Sequence, residues 1–413
     1  MTMIPQSALA IVALFASLVL LVMGNSSLGT IAALRLEIEG YEPGAIGIVL
    51  ALTSLGFVLG SLFGIRIVQR VGHIRAFAVF AGIAAVAALS HPLHVSIPGW
   101  MLFRLVLGFC IAGLMLVTES WINSHATPQS RGSLLATYMV LFFLAASSGQ
   151  FIVALGDPGM YGLFVIAAIF IILSLVPISL TRSTPPQMKR GKRLAFSVLW
   201  ARSELGLGGA AVSGVVLGAF GIVGPVYGYE MGLTVEEIAV FMGISILAAM
   251  VVQWPMGYLS DYLPRRLVIV CVTGAAVGMA LFTAAFGQRS SMHLYGGVAL
   301  FYALAACIYP LSLALTHDML AKHQIVPASS LLLLANGLGA VAGPAIGGAA
   351  ITLLGPSGLF LFLAAALGLL LLLALHSFAS ERAPLVREQS HCVGIAPVST
   401  AVIIDLDPRQ ESG

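Results

Sequence analysis

Apolar residues dominate this chain in long blocks, and polar residues are confined to short intervals between them. Blocks long enough to cross about 30 Å of hydrocarbon as helices fall near 8–33, 45–65, 76–92, 99–119, 133–155 and 161–181. They resume near 205–228, 238–259, 267–287, 293–316, 328–353 and 358–378. The pattern is six spans, a polar break, then six more. It predicts an all-α integral membrane protein of 12 transmembrane helices in two six-helix pseudo-repeats. The expected divisions are an N-terminal half over 1–181, a cytoplasmic linker over 182–204, a C-terminal half over 205–378 and a cytoplasmic tail over 379–413. The tail has no periodic apolar face and is expected to be disordered.

Composition agrees with that reading. Of 413 residues, 59% are hydrophobic and 8% charged, with a mean hydropathy of +1.04; soluble domains carry roughly 25% charged residues. No Lys or Arg precedes the first block, and that block is too long for a signal-peptide core, so it is expected to remain as a span. The basic residues then set the orientation. With both termini in the cytoplasm, the inward loops hold Arg66, Arg70, Arg75, Arg131, Arg265, Arg266 and Lys322. The linker holds Arg182, Lys189, Arg190, Lys192, Arg193 and Arg202, and the tail Arg382, Arg387 and Arg409. Of the 19 Lys and Arg only Arg35 and Arg289 face outward, and Arg104 lies within a span. The opposite orientation would put nearly all of them on the wrong side. A multi-pass protein of the cell inner membrane is expected, embedded in the lipid bilayer as a monomer.

Other classes recede. The net charge is +3, and with basic residues limited to a few loops no nucleic-acid partner is implied. Cys110, Cys271 and Cys307 lie in apolar blocks and Cys392 in the tail, with no CxxC pair and no disulfide framework. His91 and His94 form an isolated H-x-x-H, too little for a metal site. No Walker loop, zinc motif or nucleophile constellation is present, so neither a cofactor nor an enzyme activity is expected.

One polar interval has unusual content. Gly257-Tyr258-Leu259-Ser260-Asp261-Tyr262-Leu263-Pro264-Arg265-Arg266 sets one carboxylate and two guanidinium groups at a helix end, where they can bond one another and neighbouring helix ends as a latch. An ordinary basic loop is the plainer alternative. An offset of 192 residues places Gln69 over Asp261, Gly72 over Pro264 and His73 over Arg265, so the loop from Ile65 to Arg75 is a worn counterpart. Parallel six-helix repeats joined by a basic linker suggest a transporter with its site at the repeat interface.

These residues resemble the major facilitator superfamily, over essentially the whole membrane portion. Gly257, Asp261, Arg265 and Arg266 match the family's loop motif, with Pro264 in place of its second glycine. The first-half loop keeps Arg70, Gly72 and Arg75 but has Gln69 where the family usually has aspartate, which weakens the latch implied there. Arg104-x-x-x-Gly108 in the fourth span looks like the family's R-x-x-q-G motif, with Leu107 in place of Gln, and Gly343-Pro344-Ala345-Ile346-Gly347-Gly348 in the eleventh resembles its Gly-Pro packing motif. Val117-Thr118-Glu119-Ser120-Trp121, followed by Arg131-Gly132-Ser133-Leu134, is similar to the YcaD-like branch, which implies transport without naming a substrate. The resemblance also implies that Glu119 and Arg131 belong to an inner-face charge network, with Asp318 as a second-half analogue. An i,i+4 pair with Lys322 is the alternative for Asp318.

Arg104 is the strongest binding candidate. A charge inside a span is costly and needs a partner or a watery cavity, so Arg104 is read as an anchor for an anionic or strongly polar substrate group, or as a participant in proton coupling. A structural arginine bonded to carbonyls is the alternative. Glu119 lies about 22 Å farther along the same helix, near the cytoplasmic surface, and is read as a latch residue. Polar and aromatic residues near mid-span complete the candidate cavity: Asn25, Ser147, Ser148, Gln150, Gln253, Trp254, Tyr309 and Asn336. Each has a helix neighbour as its alternative partner. Tyr138 and Tyr227, nearer the membrane faces, suit gates or interfacial aromatics. Glycines four apart, at Gly56, Gly60 and Gly64, at Gly339, Gly343 and Gly347, and at Gly214 and Gly218, allow close helix approach, either as static packing or as faces on which helices slide.

The reading that follows is a secondary transporter moving a small-molecule substrate across the inner membrane by alternating access, with protons as a conceivable second ligand. A membrane sensor or assembly factor with a transporter fold is the rival, and a membrane enzyme a weaker one.

Overall fold

The computed structural model describes residues 6–127, 129–180, 195–321, 324–380, 399–400 and 402. Lys322 and most of the linker and tail lie outside the described residues. The described chain is helical, and 12 helices are long and apolar enough to cross a membrane. The first six spans are α1 (Gln6–Ile38), α2 (Pro43–Val71), α3 (His73–Ser90), α4 (Ile97–Ser124), α5 (Arg131–Ile152) and the α6–α7 pair (Gly162–Leu173, Leu175–Leu180). A short α8 (Phe196–Arg202) closes the linker. The second six are α9 (Glu204–Glu230), α10 (Val235–Tyr262), α11 (Arg265–Phe286), α12 (Ser291–Asp318), α13 (Ile325–Leu354) and α14 (Gly358–Ser380).

The chain forms two compact units. The first holds residues up to Arg35, Leu52–Arg190 and the chain from Val398 on; the second holds Leu36–Ala51 and Gly191–Pro397. The start of α2 therefore packs with second-half helices. The Thr352 hydroxyl accepts the Gly44 N–H at 3.0 Å. A side chain at Gly47 would overlap the Pro344 carbonyl, and one at Gly348 the Pro43 carbonyl. Gly343 faces the Val215 carbonyl of α9 and Gly347 meets Leu359 of α14, so the Gly-Pro motif joins α13 to three neighbours.

Helix ends follow local chemistry. Thr234 and Glu237 form a reciprocal capping box at α10: the Thr234 Oγ1 accepts the Glu237 N–H at 3.3 Å, and Glu237 Oε2 accepts the Thr234 N–H at 2.9 Å. Gly72 stands between α2 and α3 with φ +86°, a left-handed turn that any side chain would strain. Its repeat counterpart, Pro264, has φ −56°, so the second loop turns differently and accommodates proline. Gly72→Ala is expected to cost roughly 1–2 kcal/mol and to lower the thermal unfolding midpoint in detergent. Gly132→Ala, in the first turn of α5 where nothing lies within 4 Å, serves as the control that does not lower it.

Candidate functional site

In the first unit most of the buried polar residues lie on α1, α4 and α5. Arg104, on α4, is 2% exposed; one of its terminal N–H groups donates to the Leu28 carbonyl at 3.1 Å, while its Nε is buried without a partner among the described residues. No acidic side chain among the described residues pairs with it. It is a desolvated cation held by one neutral oxygen. Gln150 bridges α5 to α1: its Oε1 accepts the Thr30 hydroxyl at 2.6 Å, and its amide donates to the Ser26 hydroxyl at 2.7 Å and the Ser26 carbonyl at 3.3 Å. Those bonds employ Gln150 as an interhelical tie. Ser147 is buried and bonded, Ser148 is exposed, and Asn25 is half-buried with no hydrogen bond to a described residue. Asn25 and Arg104 thus keep free bonding capacity in this unit, and Gln150 does not.

Glu119 is fully buried on α4. Its carboxylate accepts the Tyr138 hydroxyl of α5 at 2.8 Å and, on its other oxygen, both the backbone N–H of Thr400 at 2.9 Å and the Thr400 hydroxyl. Tyr138 and Thr400 thus hold it in place of the pairing with Arg131 that the family resemblance implies. Ser399 and Thr400 are themselves buried at 0% and 1% exposure, which departs from a solvated tail at these positions. No local pattern in the sequence marks them.

The first-half loop forms no charge latch. Arg70 and Arg75 are exposed, without an ion pair among the described residues. His73, in the repeat position of Arg265, is buried, with its Nε2 3.3 Å from the Ser120 hydroxyl and its ring 5.8 Å from that of Trp121. His91 is packed among Trp100, Phe103 and Phe164, with Nδ1 2.7 Å from the Ala87 carbonyl.

The second unit has a buried charged cluster at the expected loop. Arg265, its side chain wholly buried, bonds the Asp318 carboxylate and the Ala314 carbonyl (2.9 Å), both on α12, and lies 3.5 Å from Asp261 at the end of α10. Arg266 donates to the Ser377 carbonyl of α14 at 3.1 Å. The two arginines tie four helices together at one point, with Gly257 one turn before Asp261. Of the cavity candidates, Gln253 donates to the Ala306 carbonyl at 3.2 Å and Asn336 to the Ala210 carbonyl at 3.1 Å. Tyr309 is buried, with no hydrogen bond to a described residue. Trp254 is 79% exposed and stacks on Tyr258, which in turn meets Tyr262. Tyr227 packs against Phe241 and Phe360 as a core aromatic.

The glycine rows face helices of their own unit. Gly56 meets the Leu105 carbonyl of α4, Gly60 the Phe109 backbone, and Gly108 returns the contact on Thr53 of α2. Gly339 and Gly343 meet Ala211 and Val215 of α9, while Gly214 and Gly218 meet Asn336 and Ala340 of α13. These close approaches are packing within a unit.

Comparison with known proteins places this architecture. A family model for the Major Facilitator Superfamily matches residues 14–304 and 209–404. The "Uncharacterized MFS-type transporter YcaD" of Escherichia fergusonii is 27% identical over 336 residues, covering 80% of this chain and 86% of that protein. The protein of the same name from Salmonella newport is 25% identical, with the same coverage. Among solved structures, the nucleoside transporter NupG is similar with TM-score 0.73 at 13% identity, covering 92% of this chain and 100% of that one. A bacterial homologue of the human lysosomal transporter Spinster has TM-score 0.74 at 16% identity, covering 94% and 99%. A D-xylose–proton symporter has TM-score 0.67 at 16% identity, covering 92% and 99%. With 12 apolar helices and a family match over most of its length, the chain belongs to the major facilitator superfamily.

Proposed function

We propose that this protein is a secondary transporter of a small molecule carrying an anionic or strongly polar group, and that Arg104 is the anchor for that group. The observation that carries the reading is the state of Arg104. A guanidinium taken out of water costs several kcal/mol unless it is paired, and here one carbonyl supports it while Nε is left without a partner. The Nε groups of Arg265 and Arg266 are unpartnered too, but Arg265 is neutralised by Asp318 and Asp261, whereas no acidic side chain among the described residues pairs with Arg104. An arriving carboxylate or phosphate supplies the missing charge and acceptors in a fork that matches guanidinium geometry. Membership in a transporter superfamily supports movement of that ligand, and the basic inward loops support an inner-membrane protein with both termini in the cytoplasm.

The test is thermal unfolding of the purified full chain in detergent against a panel of anionic and neutral metabolites, with wild type beside Arg104→Ala and Arg104→Lys. A ligand at a hundred times its Kd stabilises the folded state by about 2.7 kcal/mol. An anionic ligand is expected to raise the wild-type midpoint, to do so weakly in Arg104→Lys, and to have no effect in Arg104→Ala. A shift that survives in Arg104→Ala removes the anchor role. Uptake of the same ligand into proteoliposomes separates a transporter from a sensor, which binds without accumulating it.

A further inference from the structure

We propose that the Glu119–Tyr138 pair is a docking site for the chain's own C-terminal segment, and that Ser399–Thr400 is the internal ligand it holds. Glu119 has no cation beside it among the described residues. Three hydrogen bonds satisfy its buried carboxylate, and two of them, from the Thr400 N–H and the Thr400 hydroxyl, come from the tail. The Tyr138 hydroxyl lies 3.4 Å from the Ser399 hydroxyl, so the tail touches both members of the pair. With the tail withdrawn, a desolvated carboxylate would keep Tyr138 alone, and an unsatisfied buried acceptor is costly. The site therefore suits an occupant that presents an N–H and an O–H two carbons apart. The backbone and side chain of one threonine do this.

Docking of this kind is reversible in a way helix packing is not. It depends on a few charge-assisted hydrogen bonds from a segment at the end of the chain. It is also sensitive to charge: a carboxylate or phosphate placed on Ser399 or Thr400 would face Glu119 and be repelled. Ser399–Thr400 is thus fastened at Glu119 and Tyr138, toward the ends of α4 and α5 nearest their connecting loop, and released by negative charge. This holds whether or not Arg104 binds a substrate.

Hydrogen–deuterium exchange of the full chain in detergent or nanodiscs tests it directly, with wild type beside Thr400→Glu. The variant alters only the tail, so the membrane helices fold as before; the exchange of α4 and α5 checks this. In the wild type the Thr400 amide is expected to exchange ~10- to 100-fold more slowly than in Thr400→Glu, the loss matching one hydrogen bond to a charged acceptor. Glu119→Gln, which keeps the shape but not the charge, is expected to fall between them. A wild-type amide exchanging at the rate of an unstructured peptide overturns the proposal. So does protection that persists in Thr400→Glu, since the segment would then be held elsewhere.

Discussion

Replacing Asp318 by alanine is expected to destabilise the protein by roughly 3–5 kcal/mol, the usual cost of stripping the partner from a buried ion pair. The Arg265 and Asp318 side chains are 0% and 1% exposed. After the substitution the guanidinium would keep the Ala314 carbonyl and a longer contact to Asp261 at 3.5 Å. The carbonyl does not compensate a full charge, and the Asp261 carboxylate, farther away and 15% exposed, does so only in part, so the loss is expected toward the lower end of that range. The informative comparison is the double variant Arg265→Met, Asp318→Leu. It removes both charges and fills similar volume, and should lose far less than Asp318→Ala alone. Apparent unfolding midpoints in detergent for Arg265→Met, Asp318→Leu and the double variant would form the cycle. Equal losses in single and double variants would mean that the pair contributes through packing, not charge.

The second large effect is expected at Gly108. A methyl group there would occupy the space of the Thr53 carbonyl, and one at Gly56 that of the Leu105 carbonyl, because α2 and α4 touch through backbone at both points. Backbone cannot swing aside as a side chain can. Gly108→Ala must therefore push the helices apart, at a cost of ~1–3 kcal/mol or more, as overpacking does. Gly221 in α9 has nothing within 4 Å of an added Cβ. Gly221→Ala should stabilise its helix by ~0.5–1 kcal/mol. Opposite signs from the same chemical change, read as shifts in unfolding midpoint, are the test. If both substitutions lowered the midpoint alike, the close approach of α2 and α4 would not be what Gly108 provides.

The spans were legible because lipid imposes a simple rule. A helix that satisfies its own backbone must be apolar for about 20 residues, and that run is visible without any partner. The charged cluster of the second half was legible for a related reason, since charges are rare in this chain and Asp261, Arg265 and Arg266 stand close in sequence. Their real connections were not. Asp318 lies 53 positions from Arg265 and Ser377 lies 111 from Arg266, and no local pattern encodes such pairings. Gln150 shows the same limit from the other side. A polar residue near mid-span suggested a cavity, yet Thr30 and Ser26, both on α1, absorb it. The glycine rows announced close helix approach but not which helix approaches. The capping box at Thr234 is readable in the sequence as T-x-x-E. Glu119 was found by its charge, whereas Thr400, at a separation of 281, was beyond reach.

The two sequence repeats and the two packed units do not share a border. The piece from Leu36 to Ala51 is encoded in the first repeat but seats Pro43, Gly44 and Gly47 on α13 in the second unit. A polypeptide leaves the ribosome N-terminus first, and domains generally fold as they emerge. That piece must wait, because its partners at Pro344, Gly348 and Thr352 lie on α13, with 308 positions between Gly44 and Thr352. A fragment containing only the second repeat would lack the backbone that covers Gly348. The second unit is therefore completed only once α13 has been synthesised, and it takes from the first half the segment that finishes it.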